Sequence, residues 1–163
     1  PQPTYRNYQY KVIERIWELM KAYTNTPGTK IFFDQLAGVY YNARLSIPQQ
    51  RFPALFLFNQ SVAREPLAIR RTDWWNLTIK AYFYSMDFEE NKMNQHYGWV
   101  EGLDRICRTN PRLTLVGGDD LGIHKADLSA ASYNFTYDRE FVIAETDATI
   151  EVKTKLCLAE KIS

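Results

Sequence analysis

The sequence predicts an α+β fold: a single domain over residues 1–163, mainly antiparallel sheet, with two amphipathic helices packed on it. Three observations carry this. Between Trp74 and Tyr84, Trp75, Leu77, Ile79, Ala81 and Phe83 share one parity while Asn76, Thr78 and Lys80 take the other, the period of two of a half-buried strand. From Ala148 to Leu158 the pattern recurs, with Ala148, Ile150, Val152, Leu156 and Leu158 set against Thr149, Glu151, Lys153 and Lys155. Two other stretches instead repeat their apolar residues every three to four positions. The two strands thus offer one apolar face each to a common core.

The helical stretches frame this pair. From Tyr5 to Tyr23, Tyr8, Val12, Ile16, Leu19, Met20 and Tyr23 form one stripe, with Arg6, Lys11, Glu14, Arg15, Glu18 and Lys21 on the other side. Pro27-Gly28 supplies the stop. The span Lys30 to Asn42 is mixed: Ile31-Phe32-Phe33 and Val39-Tyr40-Tyr41 have strand character, and Asp34 to Gly38 suits a helical turn. Phe52 to Asn59 is an almost wholly apolar strand with Pro53 at its start, so both its faces need cover, one from the first helix and the other from a neighbouring subunit. Gln60 to Asp73 is long for a tight hairpin and is expected to project. A second helix, capped by Ser85 or Asp87, carries Met93, Tyr97, Val100, Leu103 and Ile106 or Cys107, and ends before Asn110-Pro111. Arg112 to Val116 reads as a short strand, Gly117 to Asp120 as a turn and Leu121 to Ala126 as an edge segment. Leu128 to Ala144 is extended, with a bend at Asp138 before the final strand. Ala159 to Ser163 is expected to fray.

Composition narrows the function classes. The 20 Lys and Arg nearly cancel the 19 Asp and Glu, so no global field attracts nucleic acid or an anionic membrane. The abundant aromatics suit a sheet-rich subunit of an assembly and a well-filled monomeric core equally. Cys107 and Cys157 match neither a disulfide framework nor a zinc spacing and are read as free thiols in a reducing compartment. No apolar run reaches the roughly 18 residues that cross a bilayer, and the start at Pro1 has no secretion core, so a soluble chain made in the cytoplasm is expected.

Candidate chemistry is sparse. Gly118-Asp119-Asp120 has the residue types of a two-metal hairpin but lacks a second acidic motif, and turn chemistry accounts for it. His96 and His124 stand near no nucleophile, and His96, one position off the helical stripe, is read as a partly exposed helix residue. Asp87, Glu89 and Glu90 suit a helix start. No catalytic residue, metal ligand or cofactor is therefore expected. Arg70-Arg71 beside Trp74-Trp75 has the composition of a nucleic-acid grip, but an outward Trp74 more often marks a protein contact.

The order of elements carries a resemblance. An amphipathic helix, the strand Phe52-Pro53-Ala54-Leu55-Phe56-Leu57-Phe58, a projecting connection, the strand Trp75 to Tyr82, a helix ending at Asn110-Pro111-Arg112-Leu113, and the closing Ala148-Thr149-Ile150-Glu151-Val152 together resemble the tail terminator proteins of tailed bacteriophages, also called tail completion or tail-to-head joining proteins. The resemblance implies a structural virion protein, located at the tail and neck and assembled in the host cytoplasm. It would form a homo-oligomeric ring, typically hexameric, on the last ring of the tail tube, stop polymerisation and dock the head connector, with genomic DNA passing through the lumen. The partners implied are other copies of the chain, the tube protein and the connector. Arg64, Glu65, Arg70 and Arg71 of the first connection, Trp74, and Asp119 and Asp120 of the second loop are the expected contacts, since loops on a rigid sheet commonly carry recognition. The extended Leu128 to Ala144 stretch exceeds the pattern, which leaves a neighbouring neck or head-completion protein as an alternative. A monomeric nucleic-acid-binding module is the competing class.

Overall fold

The computed structural model describes residues 8–24, 33, 36–41, 52–66, 72–87, 93–138 and 141–157. In chain order the elements are α1 (Tyr8–Thr24), β1 (Gly38–Tyr40), β2 (Ala54–Pro66), β3 (Thr72–Asp87), α2 (Met93–Thr109), β4 (Ile123–Asp138) and β5 (Phe141–Cys157). The strands form one sheet in the order β1-β2-β3-β5-β4, with β1 parallel to β2 and every other pair antiparallel. This is the α+β architecture expected from the alternation.

The two patterned strands lie side by side at the centre of the sheet. Leu77 pairs with Val152, Ile79 with Ile150 and Ala81 with Ala148, so apolar side chains face each other across the β3–β5 ladder. These six residues are buried, as are Leu55 and Leu57 of β2 and Ala126 of β4. Helix α1 covers this face over β2, and α2 covers it over β4 and β5. From α1, Tyr8, Val12, Ile13, Ile16, Leu19 and Met20 enter the core.

Helix α2 departs in part from the expected stripe. The expected Val100, Leu103, Ile106 and Cys107 are buried, but Tyr97 is 44% exposed and the inward face extends to His96 and the fully buried Trp99. The cause is Trp99, whose ring stacks on Phe83 of β3 at 5.0 Å between centroids, and the largest side chain wins the central position. Arg15 is also displaced from its expected polar side, being only 6% exposed.

Three loop expectations need correction. Strand β2 continues to Pro66 and β3 begins at Thr72, with Pro66 paired to Asp73, so Arg64 and Glu65 stand on a ladder and not in a projecting loop. Arg112 to Val116 is not a strand. Leu113 takes a left-handed backbone, φ 49°, and its side chain is fully buried, which ties the loop down. The polar run at Asp138 is not a bend but the end of a hairpin, because Asp138 pairs with Phe141 and β5 runs unbroken from there through the final strand. The register shifts in β4 fall instead between Ile123 and Lys125 and between Leu128 and Ala130.

The second face of β2 is also covered differently from expectation. Ala54 and Phe56 point away from the helices and are buried with Tyr84, against Tyr40, Phe52 and Tyr82. Phe56 stacks on Tyr40 at 5.2 Å and meets Tyr84 edge-on at 5.5 Å. The chain itself therefore covers this end of β2, and no neighbouring subunit is needed for it. The expectations for residues 1–7, 25–32, 34–35, 42–51, 67–71, 88–92, 139–140 and 158–163, among them the helical turn at Asp34 and the helix start at Glu89 and Glu90, lie outside the described residues.

Candidate functional site

The register brings two distant segments to one end of the sheet. Arg64 pairs with Trp75, Trp75 with Thr154, and Thr154 with Ile123, so the tip of β2, the start of β3 and the start of β4 lie at one level. Glu65 pairs with Trp74. The loop carrying Asp119 and Asp120 leads directly into β4 and is held at this end by Tyr8, whose hydroxyl donates to the Leu121 carbonyl at 2.6 Å and meets Thr154 Oγ1 at 2.7 Å. Arg64, Glu65, Trp74, Asp119 and Asp120 are thereby collected at one end. Arg70 and Arg71 lie outside the described residues, in the connection between Pro66 and Thr72.

Trp74 faces away from the helices, as its parity requires. Its ring has the Lys153 ammonium 5.0 Å from the centroid and the His124 ring at 5.1 Å, a contact between β3, β4 and β5 that stiffens this end. Trp75 points to the helix side and packs against the core.

Arg15 fixes the acidic loop. Its Nη1 donates to the Leu113 carbonyl at 2.8 Å and its Nη2 to the Asp119 carbonyl at 2.7 Å, while Glu18 lies 3.7 Å from Nε. A buried guanidinium needs such acceptors, and here they are loop carbonyls that lack a ladder. Gly118 fits beneath it: a Cβ there would stand 3.0 Å from Arg15 Nη2. Asp120 accepts the Gly122 amide at 2.9 Å, and Gly122 has φ 71°. Both aspartates remain exposed, so a rigid turn presents two carboxylates to solvent. Among the described residues, no group of three or more His, Cys, Asp or Glu is placed to hold a metal ion.

A second polar cluster went unread in the sequence. His96 is not partly exposed but fully buried, and its Nε2 lies 2.6 Å from Ser85 Oγ and its Nδ1 2.7 Å from Thr146 Oγ1. Ser85 belongs to β3 and is not a helix cap. A neutral imidazole donates through one nitrogen and accepts through the other, so one hydroxyl gives a proton to the ring and the other receives one. Burial pushes the His96 pKa down to about 4. A serine beside a histidine has the parts of a nucleophile and its base, but a base so far below neutrality is weak, and Ser85 is only 5% exposed. The cluster joins α2 to β3 and β5. Its signal was available in Ser85 and Thr146, hydroxyls standing at core parity.

Burial also raises the Cys107 thiol to about 12, with Asp104 and Asp127 adding to the effect, so it stays protonated. No helix among the described residues is long and apolar enough to cross a membrane. No protein-family model matches the chain, and no curated protein matches it either.

Proposed function

We propose that the chain is a structural subunit of a tailed-bacteriophage virion, a tail terminator that closes into a ring on the head-proximal end of the tail tube, stops its growth and docks the head connector. The observation that carries this reading is the convergence of Arg64, Glu65, Trp74, Asp119 and Asp120 at one end of a rigid sheet, from segments far apart in sequence. A charged, braced end is what a ring needs to seat on another ring. Recognition is by shape: the end matches enough of a tube subunit's contact surface to bind, and the opposite end offers no surface for a further tube ring. No bond is made or broken.

The long, one-sided edge of β4 supports self-association, because its outer backbone groups have no strand beside them among the described residues. Subunits related by rotation meet through two different faces, and such heterologous contacts close into rings. Native mass measurement of the purified protein, with DNA binding followed across a salt series, tests the reading. A discrete closed oligomer with little affinity for DNA is expected. A monomer that binds DNA tightly, weakening steeply with salt, would favour the nucleic-acid module instead.

A further inference from the structure

Among the described residues the sheet ends in two edges, and they are complementary. On one side, among the described residues, β1 pairs with Ala54 to Phe56 of β2, and Ser61 to Ala63 farther along the strand are exposed. On the other, β4 is terminal. Three successive antiparallel pairings separate β2 from β4, so the two edges run in opposite directions. Placed beside each other by rotation about an axis along the strands, they meet antiparallel.

Following the ladder across the sheet, Ser61 lies level with Asp127, Val62 with Ala126 and Ala63 with Lys125. At that register the side chains match in kind. Val62, 38% exposed on the helix side, meets the buried Ala126 with Leu128 adjacent. On the other side the small Ser61 and Ala63 leave room for Asp127 and Lys125. Charges on an edge strand ordinarily repel a second strand, but Lys125 and Asp127 already neutralise one another at 3.2 Å. Register shifts bound the match on both strands, at Asn59/Ser61 in β2 and at Ile123/Lys125 and Leu128/Ala130 in β4, and farther on Ser132 to Asn134 run level with Phe56 to Ala54, which β1 occupies.

We infer that the outer edge of β2, from Ser61 to Ala63, pairs antiparallel with Lys125 to Asp127 of β4 of a second copy, making one sheet continuous from subunit to subunit. This rests on the ring reading and names the surface that closes it.

Cross-linking through paired cysteines tests it in a Cys157→Ser background, with Ala63→Cys and Lys125→Cys made singly and together. A short bismaleimide spans the roughly 5 Å between directly opposite residues of an antiparallel pair. It does not span the three strand spacings, about 14 Å, that separate the two positions within one copy. Only the double variant is expected to give a ladder of covalent oligomers ending at the ring size. Dimers from Lys125→Cys alone would overturn the proposal in favour of a two-fold contact between β4 strands. An assembled oligomer by native mass with no ladder would overturn the edge pairing and leave the ring reading standing. A monomer by both measurements would overturn both.

Discussion

His96 shows how much one buried side chain decides. Folding holds it neutral, with its pKa lowered to about 4 by burial, while in the unfolded chain it titrates near its ordinary value of 6.5. The unfolded state therefore binds the extra proton first as pH falls. Stability from this group is complete above about pH 6.5, declines as pH drops from there to about 4, and then levels off; the shift corresponds to about 3 kcal/mol. Denaturant unfolding of the wild type at pH 7 and pH 4.5, against His96→Phe, measures it. The wild type should lose more of its stability over that interval, and equal losses would mean that His96 is not the titrating group. Arg15 acts at the same scale. Arg15→Ala leaves the Leu113 and Asp119 carbonyls without their donor and should cost about 2 kcal/mol, read as a lower denaturation midpoint with faster proteolysis between Leu113 and Asp119. Gly118→Ala should show the same proteolytic opening in milder form, because its Cβ crowds the guanidinium.

At the scale of elements, what sequence revealed depended on whether the signal was periodic or positional. The central pair β3–β5 was legible because its alternation is set by the core alone, and its residues do meet, Ile79 against Ile150. Helix α1 was legible for the same reason. The face of α2 is legible at Val100, Leu103, Ile106 and Cys107 but not at Trp99 and His96, because a histidine reads as polar until Ser85 and Thr146 are known to stand opposite. Strand ends were misplaced wherever a polar residue stays in the ladder, as Arg64 and Glu65 do at the end of β2 and Glu145 and Asp147 do within β5. Lys80 explains the last case. It bonds Asp147 at 3.2 Å and Thr149 at 2.8 Å on the helix-free face, so the polar run is matched across the strands and β5 need not break. Of the candidate contacts, the residue types were visible in the sequence and their convergence was not, since it follows from register between strands separated by α2.

The whole molecule has two unlike ends and two unlike edges. One end gathers the β2 tip, Trp74 and the braced acidic turn, and the other carries the β4–β5 hairpin, where Tyr133 and Phe135 are 39% and 41% exposed and Tyr97 meets Tyr133 edge-on at 5.0 Å. An object with distinct ends and complementary edges is suited to cyclic assembly in a stack, where each ring faces different neighbours above and below. The central claim is that this subunit works by sitting between a tube and a connector. Imaging mature particles by electron cryomicroscopy, with an epitope tag on this chain to mark it, tests that most directly. A ring of this fold at the junction of head and tail is the predicted result, and tagged chain absent from that junction in complete particles would contradict it.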